Sequence, residues 1–163
     1  MKKILNSIKF IEKSVKSPKK GLSDDIFYFV GRMTPFINVD LLIKCPGYGT
    51  VLTWREDRFT GKGWHIPGGI IRFKEKIENR VKKTGQSELG IKIQSFEGPI
   101  VINEIIAHQR ERSHFISMLF KCYLSTKQMN KLLEIIKSNK NIKFFKNKLK
   151  NLLKWHRIYS KFI

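Results

Sequence analysis

Apolar residues recur along the chain with two different periods. Over residues 1–16, Ile4, Ile8, Ile11 and Val15 fall at helical spacing with lysines between them, until Ser17-Pro18-Lys19-Lys20-Gly21 breaks the pattern. A short amphipathic helix and a turn are predicted there. Runs rich in Ile, Val, Phe and Leu at 35–43, 50–55, 91–105 and 114–124 predict strands, with Pro46-Gly47-Tyr48-Gly49 turning between the first two. From Glu75 to Leu89 the period becomes helical: Ile77, Val81 and Leu89 share one face, while Glu78, Arg80, Thr84 and Glu88 take others. A glycine inside a helix costs about 1 kcal/mol relative to alanine, so Gly85 predicts close packing or a bend. A second helical pattern carries Met129, Leu132, Leu133, Ile135 and Ile136 before a polar loop at 137–141. Leu149, Leu152, Leu153 and Trp155 through Tyr159 to Phe162 predict a terminal helix with its apolar face on the core. Strands interleaved with helices make a mixed sheet covered by helices, an α+β arrangement. No internal repeat is visible.

Composition narrows this picture. With 163 residues and 41% hydrophobic content, the chain suits one core. The expected organisation is an N-terminal helix and turn over 1–25 and a single domain over 26–163 with a C-terminal helical extension. Cys45 and Cys122 are far apart and outside any metal-type spacing, so both are expected as reduced thiols. No apolar run is long enough to cross a bilayer, and charge interrupts the N-terminal segment where a signal peptide needs its apolar stretch. A cytoplasmic location is expected.

The formal charge of +20 and pI near 10.2 favour polyanionic ligands through long-range steering. A nucleotide diphosphate, RNA and an acidic membrane all satisfy that balance. Phe144, Phe145, Trp155 and Tyr159 are interleaved with late lysines, which suits either RNA stacking or a packed core. For the N-terminal helix, docking on its own domain, docking on a partner protomer and lying on a membrane surface all remain open.

The candidate chemistry lies at residues 68–91. A glycine turn leads to Glu75, and a second glutamate, Glu88, follows thirteen positions later, which suggests a cation site. The stretch resembles the Nudix box, G-x5-E-x7-R-E-U-x-E-E-x-G-U with U a bulky aliphatic residue. Gly69, Glu75, Glu88, Gly90 and Ile91 fit it. Lys83 stands for the arginine, Thr84 for the next glutamate, Gly85 for the aliphatic residue and Ser87 for the first glutamate of the closing pair. One carboxylate of the metal-binding trio remains.

That reduced box resembles the GDP-mannose mannosyl hydrolase branch of the Nudix superfamily, which retains the last glutamate and breaks the sugar carbon–oxygen bond. Residues 34–43 and 52–55 resemble its first two core strands, and residues 63–69 its entry to the box. The resemblance implies a Nudix-type α/β/α sandwich with a mixed central sheet, and a Mg²⁺-dependent hydrolase acting on a nucleotide sugar. It places the Gly68 carbonyl and the Glu88 carboxylate on the metal, Arg55 on the departing diphosphate, and Asp40 in the substrate pocket. The branch's arginine after the double glycine is Ile70 here, and Arg72 is the nearest arginine. Its late-loop glutamine and histidine base correspond to Ser138 and Asn139. His108 and His114, flanking a polar hairpin-like segment, are the histidines considered as a replacement base. The branch forms homodimers, and the N-terminal helix is a candidate for such an interface. The other readings are a pyrophosphohydrolase of another nucleoside diphosphate derivative and a weakened domain that binds nucleotides or RNA.

Overall fold

The computed structural model describes residues 2–59, 61–147 and 149–163. Helices α1 (Lys2–Ser14) and α2 (Asp24–Gly31) precede strands β1 (Phe36–Cys45), β2 (Gly49–Asp57), β3 (Gly61–His65) and β4 (Gly68–Ile70). Helix α3 (Ile77–Leu89), strands β5 (Ser95–Ile106) and β6 (His114–Tyr123), helix α4 (Thr126–Ser138), strand β7 (Ile142–Phe145) and a 3-10 helix (Lys154–Tyr159) follow.

The sheet is mixed. Strand order is β3-β2-β1-β6-β5, with β4 added on β1 and β7 on β2. The β1–β6 pair is parallel, from Phe36 opposite Phe115 to Ile43 opposite Cys122, while the other pairings are antiparallel. Alternation along β1 sorts its residues between two cores. Val39, Leu41 and Ile43 join Val81 and Leu89 of α3, Leu132 of α4, and Met118 and Phe120 of β6. Leu42 faces the opposite way and packs with Leu52, Trp64, Leu119, Leu152 and Tyr159. Two helices therefore cover one face, and the C-terminal segment covers the other.

Gly85 sits where α3 meets the loop after it. A Cβ there would lie 2.5 Å from Ile93 Cγ1 and 2.8 Å from the Ile91 carbonyl oxygen. Gly85→Ala would gain about 1 kcal/mol of helix propensity but overpack a buried contact that includes backbone, at a cost of roughly 1–3 kcal/mol. The clash should win. A lower denaturant midpoint for Gly85→Ala is expected, whereas a raised midpoint would mean that helix propensity alone governs the position.

Several elements differ from the sequence pattern. Residues 151–153 are not helical because their backbone pairs with Trp64, whose N–H donates to the Asn151 carbonyl at 2.9 Å and whose carbonyl accepts from Leu153 at 2.8 Å. The terminal helix is thereby reduced to Lys154–Tyr159. The predicted strand at 91–105 begins only at Ser95, because Gly90 ends α3 in the left-handed region (φ 69°) and Ile91 and Ile93 turn straight into the core. Helix α2, only eight residues long, has too few turns to show a helical period. Its signal is Ser23 at the N-cap position followed by Asp24 and Asp25 in the first turn. Phe27 of this helix stacks on Phe36 with ring centroids 4.4 Å apart.

Candidate active site

A cavity of about 380 Å³ opens where β1, β2, β4, α3 and the C-terminal segment converge. Asp40, Arg55, Gly68, Arg72 and Glu88 all line it. Its wall also holds Asp24 and Phe27 of α2, Arg112 of the β5–β6 loop, and Trp155 and His156 of the 3-10 helix. His108 and His114 are outside this wall. His108 is exposed in the loop after β5, and His114 meets Glu104 across the hairpin at 3.1 Å.

Asp40 sits at the floor. Strand alternation turns Asn38, Asp40 and Ser117 to the same side, where the C-terminal segment delivers Tyr159. Asp40 Oδ1 accepts from Asn38 Nδ2 at 3.1 Å, while Oδ2 accepts from Tyr159 Oη at 2.7 Å and from the Ser117 hydroxyl. Burial pushes its carboxyl up to about 6, against the opposing pull of these hydrogen bonds and of Arg55. Gly68 lies directly opposite Asp40 in the β1–β4 pair. A side chain at 68 would run into Asp40 Oδ1, so glycine there lets β4 approach the carboxylate.

The glutamate at the exit of the glycine turn has a structural part. Glu75, whose side chain is only 5% exposed, accepts from Arg80 at 2.6 Å, Lys83 at 2.9 Å and the Arg72 amide at 3.0 Å. Burial pushes its carboxyl up, but Lys83, the Arg72 amide and Arg80 together hold it below the usual range. This ion cluster ties the turn to α3. Lys83, at the box's arginine position, thus meets Glu75 alongside Arg80.

Glu88 differs in kind. It is half-buried on the cavity side of α3, and the ion pairs of the described residues all leave it out. Burial raises its carboxyl above the usual range, and Arg55 and a Thr53 hydrogen bond only partly oppose that shift. Thr84, one turn earlier, is fully buried behind Gly69, and Ser87 contributes a hydroxyl to the cavity wall. Among the described residues no three His, Cys, Asp or Glu side chains gather as a metal cluster. Glu88 and the Gly68 carbonyl would be the protein donors for a single Mg²⁺, an ion that keeps several waters and takes phosphate oxygens. This donor set does not fit a protein-built multi-metal cluster.

Arg55 stands at the electrical centre of the cavity. Its charge acts on Asp40 and Glu88, and on His65, His156 and Arg112. His65 Nε2 meets Thr53 Oγ1 at 3.2 Å, and its Nδ1 meets the Ile66 carbonyl at 2.7 Å. The His65 ring lies 5.2 Å from that of His156. Burial pulls both imidazoles down to about 3, helped for His65 by His156 and for both by Arg55. Both are neutral at physiological pH. Arg112 reaches the cavity from a loop and pairs with Asp57 at 3.6 Å. With Arg55, Arg72 and Arg80 it sets four guanidinium groups in a wall that also holds the Asp24, Asp40 and Glu88 carboxyls, and guanidinium groups suit a phosphate-bearing ligand.

No protein-family model matches the chain, and no curated protein does. Solved structures match its fold. MutT protein from Methanosarcina mazei Go1 superposes with a TM-score of 0.54 at 17% identity, over 78% of this chain and 92% of that one. The chain has a Nudix fold. A Nudix hydrolase family member from Chromobacterium violaceum gives a TM-score of 0.52 at 15% identity, over 78% and 75% of the two chains. Shewanella oneidensis NrtR, also solved with a 27mer DNA, gives 0.61 at 15% identity over 78% of this chain. The chain spans 61% of NrtR. The stretch that resembles the Nudix box forms β4, the Glu75 turn and α3 here.

Proposed function

We propose that the protein is a Mg²⁺-dependent Nudix hydrolase that cleaves a nucleotide sugar, GDP-mannose or a close analogue, to nucleoside diphosphate and free sugar by attack of water at the sugar carbon. The observation that carries this reading is Glu88, a carboxylate on the cavity side of α3 that forms no ion pair among the described residues and lies under the charge of Arg55. Attack at phosphorus in the ordinary Nudix manner uses several carboxylates to hold metal around the nucleophile. Attack at carbon places its charge demand on the leaving group, which arginines and one cation satisfy.

The protein's own residues divide the work. Arg55 and Arg72 donate charge-assisted hydrogen bonds to the diphosphate oxygens. Asn38 and Asp40 supply polar groups at the floor, where a sugar hydroxyl binds. As the water oxygen bonds to the sugar carbon, the carbon–oxygen bond to the diphosphate breaks and its electron pair leaves with the phosphate oxygen. The water's proton passes to a cavity base. Asp40, at about 6, is better matched to that task than His65 or His156, both at about 3. Mg²⁺ on Glu88 and the Gly68 carbonyl would supply charge neutralisation for the diphosphate.

Turnover of a nucleotide-sugar panel in oxygen-18 water, with and without Mg²⁺, tests the reading. Label on the released sugar, with unlabelled nucleoside diphosphate, is expected. Label on phosphate would replace carbon attack with pyrophosphohydrolysis. Binding without turnover of any member would leave a nucleotide-binding domain.

A further inference from the structure

We infer that α1 is a peripheral anchor for an anionic lipid surface. The rest of the protein buries no residue of this helix. Ile4 is 67% exposed, Leu5 51%, Ile8 47% and Phe10 75%. Ile4, Ile8 and Ile11 recur at three- and four-residue intervals and share a face that Val15 continues, an apolar stripe that is exposed at Ile4 and Ile8 and half-buried at Ile11 and Val15. Residues 2–20 carry seven lysines and one glutamate.

Those two properties select the partner. A nucleic acid or acidic protein surface would neutralise the lysines and leave the isoleucines in water. A second copy of α1 would cover the isoleucines but leave Lys2, Lys9 and Lys13, on the far side of the helix, without counter-charge. An anionic bilayer accepts both: the apolar stripe enters the headgroup boundary while the lysines meet lipid phosphates. At 13 residues, α1 is about 20 Å long and lies in the interface plane instead of crossing it. No helix of the described residues is long and apolar enough to span a membrane. The anchor joins the domain beside the cavity: a Cβ added at Gly21 would lie 3.5 Å from the Arg72 guanidinium carbon, and Leu22 and Asp24 line the cavity wall.

Flotation of the full chain with phosphatidylcholine vesicles, with and without phosphatidylglycerol, tests this directly. The protein should float with the phosphatidylglycerol vesicles and stay behind with phosphatidylcholine alone. The double variant Ile4→Ser/Ile8→Ser keeps every charge and, because both sites are exposed, should keep the parental melt. Its partitioning is expected to fall about tenfold or more. Equal binding by the double variant would overturn the proposal and assign the attraction to the overall charge of +20. Absence of binding to anionic vesicles would also overturn it. So would a concentration-dependent dimer that the double variant loses, since that would make a second copy the occupant.

Discussion

Glu88→Gln is expected to lower Mg²⁺-dependent turnover by on the order of a hundredfold or more while leaving the thermal melt near the parent. The substitution keeps the shape and removes the charge. Neither Thr84, buried behind Gly69, nor Ser87 can supply a replacement carboxylate on α3. The stability side follows from the direction of the Glu88 shift. Its carboxyl is raised by burial, so the stability it contributes is present at low pH and is lost as pH rises through the folded value. Near neutrality the charged group therefore has little stability to lose on neutralisation. Steady-state rates against Mg²⁺ concentration, read beside a melt, make the check. Near-parental turnover at saturating Mg²⁺ would remove Glu88 from the metal site and leave it a surface glutamate near a helix end.

Arg55→Gln should cost about a hundredfold or more in kcat/KM, because it deletes the cation proposed to meet the diphosphate, whose charge also acts on Asp40 and Glu88. A second readout separates this from simple loss of packing. Arg55 opposes the upward shifts of Asp40 and Glu88, so both carboxyls should titrate higher in its absence. The acid limb of the pH–rate profile should then move to higher pH, since a higher pH is needed to ionise both groups. Arg55→Lys should recover only part of the activity, because a lysine keeps the charge without the planar pair of donors. An unchanged profile with unchanged kcat/KM would place Arg55 outside the reacting complex.

The parts of the fold legible in the sequence are those with long, clean periodicity. The run rich in Ile, Val, Phe and Leu at 35–43 matches β1, and Ile77, Val81 and Leu89 mark α3. Residues decided by distant backbone were not legible in this way. Pairing with Trp64 holds residues 151–153 extended despite their helical spacing, and only three residues form β4. The same division runs through the cavity. Asp40, Arg55, Gly68, Arg72 and Glu88 lie on or beside elements that the box and first strands mark out, and they share one cavity. Arg112 comes from a loop that no local pattern places, and Trp155 and His156 from a terminal segment whose apolar pattern announces docking on the core but not its arrival at the cavity. The spacing of Glu75 to Glu88 suggests that both serve a cation site, but the folded turn gives Glu75 to Arg80, Lys83 and the Arg72 amide, outside the cavity lining.

Tyr159 and Asp40 are 119 positions apart yet share a buried hydrogen bond. Contacts of such span carry a large loop-closure cost, and here the closing segment is also the cavity's fourth wall, through Leu153, Trp155 and His156. Undocking of the tail and opening of the cavity are therefore one excursion, drawn from the same local unfolding equilibrium. A ligand held between Arg55 and His156 stabilises the docked tail by mass action. Residence time in the cavity is thereby tied to the lifetime of a segment that belongs to neither the box nor its helix.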